Sequence, residues 1–176
     1  MGLSAKLLPN YSYQDYLHWE GRWELIEGIP FAMSPIPSPK HQRISGRLHS
    51  IFLAELDKIG CDCEVYQPLD LKITENTVLN PDLLILCSPV EKNYVDFPPA
   101  LVVEILSPST RLKDLNTKFE LYQDFGIPYY LIVDPDDDSL KLFLRGEKGK
   151  YEEIAIDEGI SLEESCQVYP DFRKIW

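Results

Sequence analysis

Residues 101–134, "LVVEILSPSTRLKDLNTKFELYQDFGIPYYLIVD", constrain the fold more than any other stretch. The segment opens and closes with runs that are apolar on both faces of the pleat, the signature of strands covered on both sides. Between them Leu115, Phe119, Tyr122 and Phe125 recur at helical spacing, and Gly126 supplies the stop. A strand, helix and strand of this kind read as a crossover, right-handed if the two strands pair in parallel. In the first strand Glu104 shares a face with Val102 and Leu106. A carboxylate in such a layer needs a partner or a cation.

The flanking sequence supplies the rest of a mixed sheet. "YSYQDYLHWE" reads as a short helix capped by Ser12, and "RWELIEGIPFAMSP" as two strands around a Glu27-Gly28 turn. After the break at "PIPSP", Ile44, Leu48, Ile51, Phe52 and Leu56 predict an amphipathic helix over 39–59, capped by Ser38. "EVYQPLDLKI" and "LNPDLLILC" read as two strands joined at "TENT"; "LKLFLR" and "YEEIAI" read as a closing hairpin. The expected fold class is α/β (α+β), one domain over 1–176, with a central mixed sheet flanked by helices and extra hairpins at both ends.

Function classes narrow next. No apolar run reaches the ~18 residues of a membrane span, and "MGLSAKLLPN" lacks a signal core. The expected location is the cytoplasm, with no membrane partner. Cys61, Cys63, Cys87 and Cys166 lack paired C-x2-C spacing and read as reduced structural thiols. A net charge of −12 argues against a protein that coats nucleic acid. The charge is uneven, however: Asp134 to Trp176 holds 12 acids and 6 bases, while Lys40, His41, Arg43, Arg47 and His49 form a local basic stretch.

Four polar residues sit where a plain core would be apolar. Asp82 follows Pro81 at the head of an apolar strand, where a turn-capping role is the ordinary alternative. Glu104 could instead pair with a structural base. At 100° per residue, Lys118 lies inside the arc of Tyr122, at roughly +40°, and Phe125, at roughly −20°; a snorkelling stem is the competing reading. His41 continues the buried stripe of its helix from the first turn, near the positive end of the dipole. Together, two carboxylates on neighbouring strands and a nearby lysine match the needs of phosphodiester hydrolysis. The acids hold a divalent cation, and the lysine orients water or neutralises charge on phosphate.

The order Pro81-Asp82, Glu104 and then a lysine resembles the PD-(D/E)XK nuclease signature, with Leu106 at the usual lysine position and Lys118 as a lysine relocated to the helix. "WELIEGIPFAMSP", His41, "NPDLLIL" and "PPALVVEILSPSTRLKDLNTKFELYQDFGIPYYLIVDP" together resemble the Uma-two family of endonuclease-like proteins. That resemblance implies a restriction-endonuclease-like fold and Mg²⁺-dependent DNA cleavage, with Mn²⁺ able to substitute. It implies a site of Glu24 or Glu27, His41, Asp82, Glu104 and Lys118. Asp82, Glu104 and the Ile105 carbonyl would ligate the metal, His41 would contact a phosphate, and Lys118 would orient the attacking water. Asp114, one turn before Lys118, would pair with it. DNA is the expected partner, and a homodimer would supply two sites for two strands. The alternatives are an inactive module of the same fold that binds DNA or a protein, and a purely structural ion cluster.

Overall fold

The computed structural model describes residues 8–33 and 36–176. Residues 1–7 of the N-terminal stretch, and Ser34-Pro35 of the proline-rich break, lie outside them. The central sheet has six strands: β3 (Glu64–Tyr66), β6 (Leu83–Leu86), β7 (Leu101–Ile105), β8 (Tyr129–Asp134), β9 (Ser139–Arg145) and β10 (Tyr151–Ile154). Their order is β10-β9-β8-β7-β6-β3. Only β7 and β8 run parallel in this sheet; the other neighbours are antiparallel. The connection between β7 and β8 is helical, as the doubly apolar strands require.

A second sheet lies beside it, with strands β1 (Trp23–Ile26), β2 (Ile29–Ala32), β4 (Leu71–Thr74) and β5 (Thr77–Leu79) in the order β2-β1-β5-β4. Here the sequence reading needs correction. Two strands were expected between residues 64 and 87, and each is cut in two, the halves going to different sheets. The cuts fall at Gln67-Pro68 and Asn80-Pro81. Proline has no N–H for a ladder, so a strand does not run through it in a sheet interior. The second cut leaves Asp82 at the corner where the chain crosses from one sheet to the other.

The helices follow their caps. Ser12 caps α1 (Tyr13–Tyr16) in a reciprocal bond with Asp15. Helix α2 (Pro39–Ile59) starts at the Ser38 cap and ends at Gly60 in the left-handed conformation. Its buried stripe of Ile44, Leu48, Phe52 and Leu56 packs on Leu83, Ile85, Leu101, Val103, Ile105, Leu131 and Val133 of the central sheet. On the opposite face Leu84, Val102, Tyr130 and Ile132 pack with Tyr122 of α3 (Lys118–Phe125). Glu104 belongs to this second face. A small hairpin of β11 (Ile160–Glu163) and β12 (Cys166–Val168), followed by Phe172 and Ile175, completes the first core; the sequence reading did not contain it.

Two further departures bear on chemistry. The expected helix before β8 is not α-helical throughout: Lys113–Thr117 form a π turn ahead of α3. Spreading an extra residue over that turn carries Leu115, expected on the apolar arc, to 37% exposure, while Asp114 is buried. The cysteines are not free among the described residues: Cys61 is bonded to Cys166 and Cys63 to Cys87. Sheet register explains the second pair. Glu64 lies opposite Leu86, so Cys63 and Cys87, one step further on, face each other. Spacing along the chain does not reveal that.

Gly28 and Gly46 make opposite predictions. Gly28 has φ +79°, and an added Cβ would meet Asn10 Oδ1 at 2.6 Å and Asn10 Cα at 2.9 Å. Gly28→Ala is expected to lower stability by about 1–3 kcal/mol. Gly46 lies within α2 with nothing within 4 Å of its added Cβ; Gly46→Ala is expected to add up to about 1 kcal/mol. Urea denaturation reads both, and a Gly28→Ala protein as stable as wild type would contradict the hairpin geometry.

Candidate active site

Lys118 is the pivot of the site. It is 1% exposed, and its ammonium lies 2.7 Å from Glu24 Oε1, 2.8 Å from Glu104 Oε1 and 3.4 Å from Asp114 Oδ1. The three carboxylates come from three elements: β1, β7 and the π turn. All are buried. Lys113, also on the π turn, pairs with Glu24 Oε2. Tyr122, one turn along α3, donates its hydroxyl to Glu104 Oε1 at 2.6 Å.

Asp82 belongs to an adjoining set. Its Oδ2 accepts the Ile105 amide at 2.8 Å and lies 3.2 Å from His41 Nε2. Ile105 lines the same cavity as His41 and Asp82. Helix α2 places His41 in its first turn, where the Ser38 hydroxyl accepts the His41 amide. A cavity of about 230 Å³ joins the two sets, with His41, Asp82, Glu104, Ile105 and Lys118 in its wall and Arg22 and Lys40 beside them. The expected contact between the lysine and both metal-binding acids is therefore half present: within 4.0 Å, Lys118 pairs with Glu104 but not with Asp82.

The choice between Glu24 and Glu27 is clear in the geometry. Glu24 is fully buried in the lysine cluster, whereas Glu27 occupies the exposed β1–β2 turn with φ 49°. Glu27 is corrected out of the candidate site: a residue at the tip of a two-residue turn projects away from the strands it joins. Three contributors went unread in the sequence. Lys113 and Tyr122 lie on the helix whose π turn shifts its phase. Arg22 donates to Asn80 Oδ1 at 2.7 Å, and the Asn80 amide donates to Glu24 Oε1 at 3.0 Å. None of the three breaks an apolar pattern.

Protonation follows from burial and partners. Burial, reinforced by Asp114, Asp82 and Glu24, pushes the Glu104 carboxyl well up despite Lys118. Burial likewise raises Asp114, whose two oxygens accept no geometrically sound hydrogen bond. Burial alone would raise Glu24 too, but Lys118 and Lys113 outweigh it and hold it low. Burial opposes the charge on Lys118, and Glu104, Glu24 and Asp114 overcome it, raising its pKa well above the usual lysine value. For His41 the burial penalty is outweighed by the Asp82 bond and charge and by the Ile105 carbonyl, so its pKa rises.

These donors fit a hard divalent cation. Asp82, Glu104 and the Ile105 carbonyl all offer oxygen donors, and Mg²⁺ is commonly held by one or two carboxylates, with water in the other positions. The acids outnumber the bases in the buried cluster, and Lys118 and Tyr122 both bind Glu104 through Oε1. Among the described residues, the groups of three donors that already converge within 4.8 Å are built on cysteine, not on these acids.

Lys118→Met is expected to destabilise the fold by about 3–5 kcal/mol, because it strands buried carboxylates. The loss should grow with pH. Glu104 and Asp114 have raised pKa values in the fold, so the folded chain holds protons that the unfolded chain has released, and stability falls as pH climbs from the ordinary carboxylate range toward the folded values. Removing the lysine steepens that fall. Thermal melts of both proteins from pH 5 to pH 8 test it; a constant difference across the range would contradict the cluster's electrostatics.

Comparison with known proteins converges on one group. A crystal structure from Anabaena variabilis, described as a "putative nuclease belonging to DUF820", superposes with a TM-score of 0.73 at 16% identity, covering 94% of this chain and 97% of that one. The two share the mixed α+β, restriction-endonuclease-like fold. An uncharacterized protein of Synechocystis sp. is 36% identical over 154 residues, spanning 81% of this chain and 78% of its own length. The family model Uma2, described as "Putative restriction endonuclease", matches residues 13–173. The chain belongs to the Uma2 family of nuclease-like proteins.

Proposed function

We propose that the protein is a Mg²⁺-dependent endonuclease that hydrolyses phosphodiester bonds in DNA, with Mn²⁺ able to substitute. One observation carries the reading: Asp82, just ahead of β6, and Glu104 of β7 open onto one cavity together with His41 and the buried lysine cluster. Asp82, Glu104 and the Ile105 carbonyl would hold the cation, which when bound supplies positive charge against the phosphate and lowers the cost of ionising water. Lys118 acts as a positioning residue. Its ammonium is occupied by three carboxylates, so it fixes Glu104 rather than approaching substrate itself. Glu24 anchors that lysine from behind. His41, held by Asp82 through Nε2, would add positive charge toward a phosphate, and Arg22 and Lys40 extend that charge along the cavity wall.

The wider context follows from the same reading. The enzyme acts in the cytoplasm, and among the described residues no helix is long and apolar enough to cross a membrane. It works as a single domain, and a homodimer would bring two such cavities to the two strands of a duplex. The reading as an inactive module that binds DNA or a protein draws on one feature: the saturation of Lys118 by carboxylates, which a purely structural cluster would also show.

Supercoiled plasmid distinguishes these readings. Chromatographically homogeneous protein should nick it with Mg²⁺ or Mn²⁺ and stop on chelation. Asp82→Asn and Glu104→Gln should each lower the rate by at least about 100-fold with an unchanged circular dichroism spectrum, and Glu27→Gln should cut like wild type. Cleavage that survives both acid substitutions, or wild type that neither cuts any DNA form nor binds Mn²⁺, sinks the enzyme reading.

A further inference from the structure

Four sulfurs from three distant parts of the chain meet at one edge of the central sheet. Cys61 and Cys63 follow the Gly60 cap of α2, Cys87 follows β6, and Cys166 opens β12. The Sγ atoms of Cys61, Cys63 and Cys166 lie within 4.8 Å of one another, and Cys63 is also bonded to Cys87. Cys63 is thus the sulfur common to both groups: it is bonded to Cys87 and lies within 4.8 Å of Cys61 and Cys166. Cys63 and Cys166 are 5% and 1% exposed and are part of the core beneath α2. None of the four lines the cavity of the carboxylate site.

Two disulfides that merely tie loops need not touch each other; each requires only its own Cα atoms at bonding range. Here Cys61, Cys63 and Cys166 converge, with Cys87 one bond from Cys63, which supplies three sulfurs of a tetrahedral thiolate site and places the fourth beside them. With Zn–S bonds of about 2.3 Å, its sulfurs stand roughly 3.8 Å apart. A spread of no more than 4.8 Å for three of them is already close to that. Glu163, whose carboxylate is within the same reach of Cys63 and Cys87, is a harder donor beside a soft set, and thiolates select zinc over the cations that carboxylates prefer.

We propose that Cys61, Cys63, Cys87 and Cys166 form a four-thiolate zinc site when reduced, and that the two disulfides are the oxidised state of the same cluster. The interconversion balances. Each disulfide accepts two electrons and two protons from one dithiol reductant, which leaves as a disulfide, so two dithiols yield four protein thiols. Ligation of Zn²⁺ then releases four protons. Oxidation by two equivalents of a two-electron oxidant returns both disulfides and frees the zinc. In either state the cluster fastens the β11–β12 hairpin to the short edge strand β3. In a cytosol that keeps thiols reduced, zinc preserves a cross-link that disulfides could not.

The full chain, purified with a phosphine reductant and no chelator, tests this. It should carry about one zinc per chain, and Co²⁺ exchange should give thiolate charge-transfer and tetrahedral d–d bands. Diamide should release the zinc to a chromogenic chelator while four thiols disappear. Cys87→Ser and Cys166→Ser should each weaken zinc binding by at least about 100-fold. Asp82→Asn should leave it intact, because oxygen ligation at the carboxylate site gives Co²⁺ no thiolate band. The proposal falls if the folded chain with four titratable thiols develops no such band, if the disulfides resist a dithiol in the folded protein, or if Cys87→Ser binds zinc like wild type. Should both serine variants fail to fold, wild type that releases no zinc on oxidation overturns it.

Discussion

A single buried ammonium organises this molecule. Lys118 is out of water and is compensated only because β1, β7 and the π turn each bring it a carboxylate. An isolated charge at that depth would cost several kcal/mol, so the two sheets and the crossover helix must dock in the register that closes the cluster. The π turn is part of the same solution. Tyr130 of β8 donates its hydroxyl to the Asp114 carbonyl of that turn at 3.0 Å. The helix is therefore anchored both to the cluster and to the parallel strand that follows it. Glu24, which resemblance alone left interchangeable with Glu27, ties the second sheet to the first beside the apolar contacts of Ile26, Leu71 and Leu79.

What was legible in the sequence was contrast. Glu104 and Lys118 stood out because each interrupts an apolar periodicity, and Asp82 because it heads an apolar strand behind a proline. Glu24 gave no such contrast: β1 is buried on both faces, so alternation does not tell a site residue from a core residue. The signal that separates it from Glu27 was turn chemistry, since Glu27-Gly28 is the pair with positive φ. Asp114 was legible as the i−4 partner of Lys118 and does pair with it, whereas Lys113 was obscured by the π turn, because a phase computed at 3.6 residues per turn fails once one turn is wider. The missed sheet switch had a signal too, in Pro68 and Pro81. Cysteine pairing had none, because four cysteines permit three pairings and only the register of β3 against β6 selects among them.

The acidity of the chain bears on how such a cavity could meet a polyanion. Two cations on the side of the loop between β8 and β9 are already engaged. Lys40 pairs with Asp138 at 2.9 Å, and Arg111 pairs with Asp134 and Asp136. A phosphate approaching along this wall competes with the loop between β8 and β9 for the same ammonium and guanidinium groups. Screening at physiological salt confines each exposed charge to roughly 8 Å, so the acidic hairpin beyond that loop contributes little to the competition, and Asp134, Asp136 and Asp138 contribute most. Binding under these conditions cannot draw on many released counterions. Under the proposed function it would rest on the few groups that line the cavity and on a cation between Asp82 and Glu104, whose charge would also relieve the surplus of buried acid around Lys118. Under that reading, one cation would serve both the chemistry and the buried charge balance.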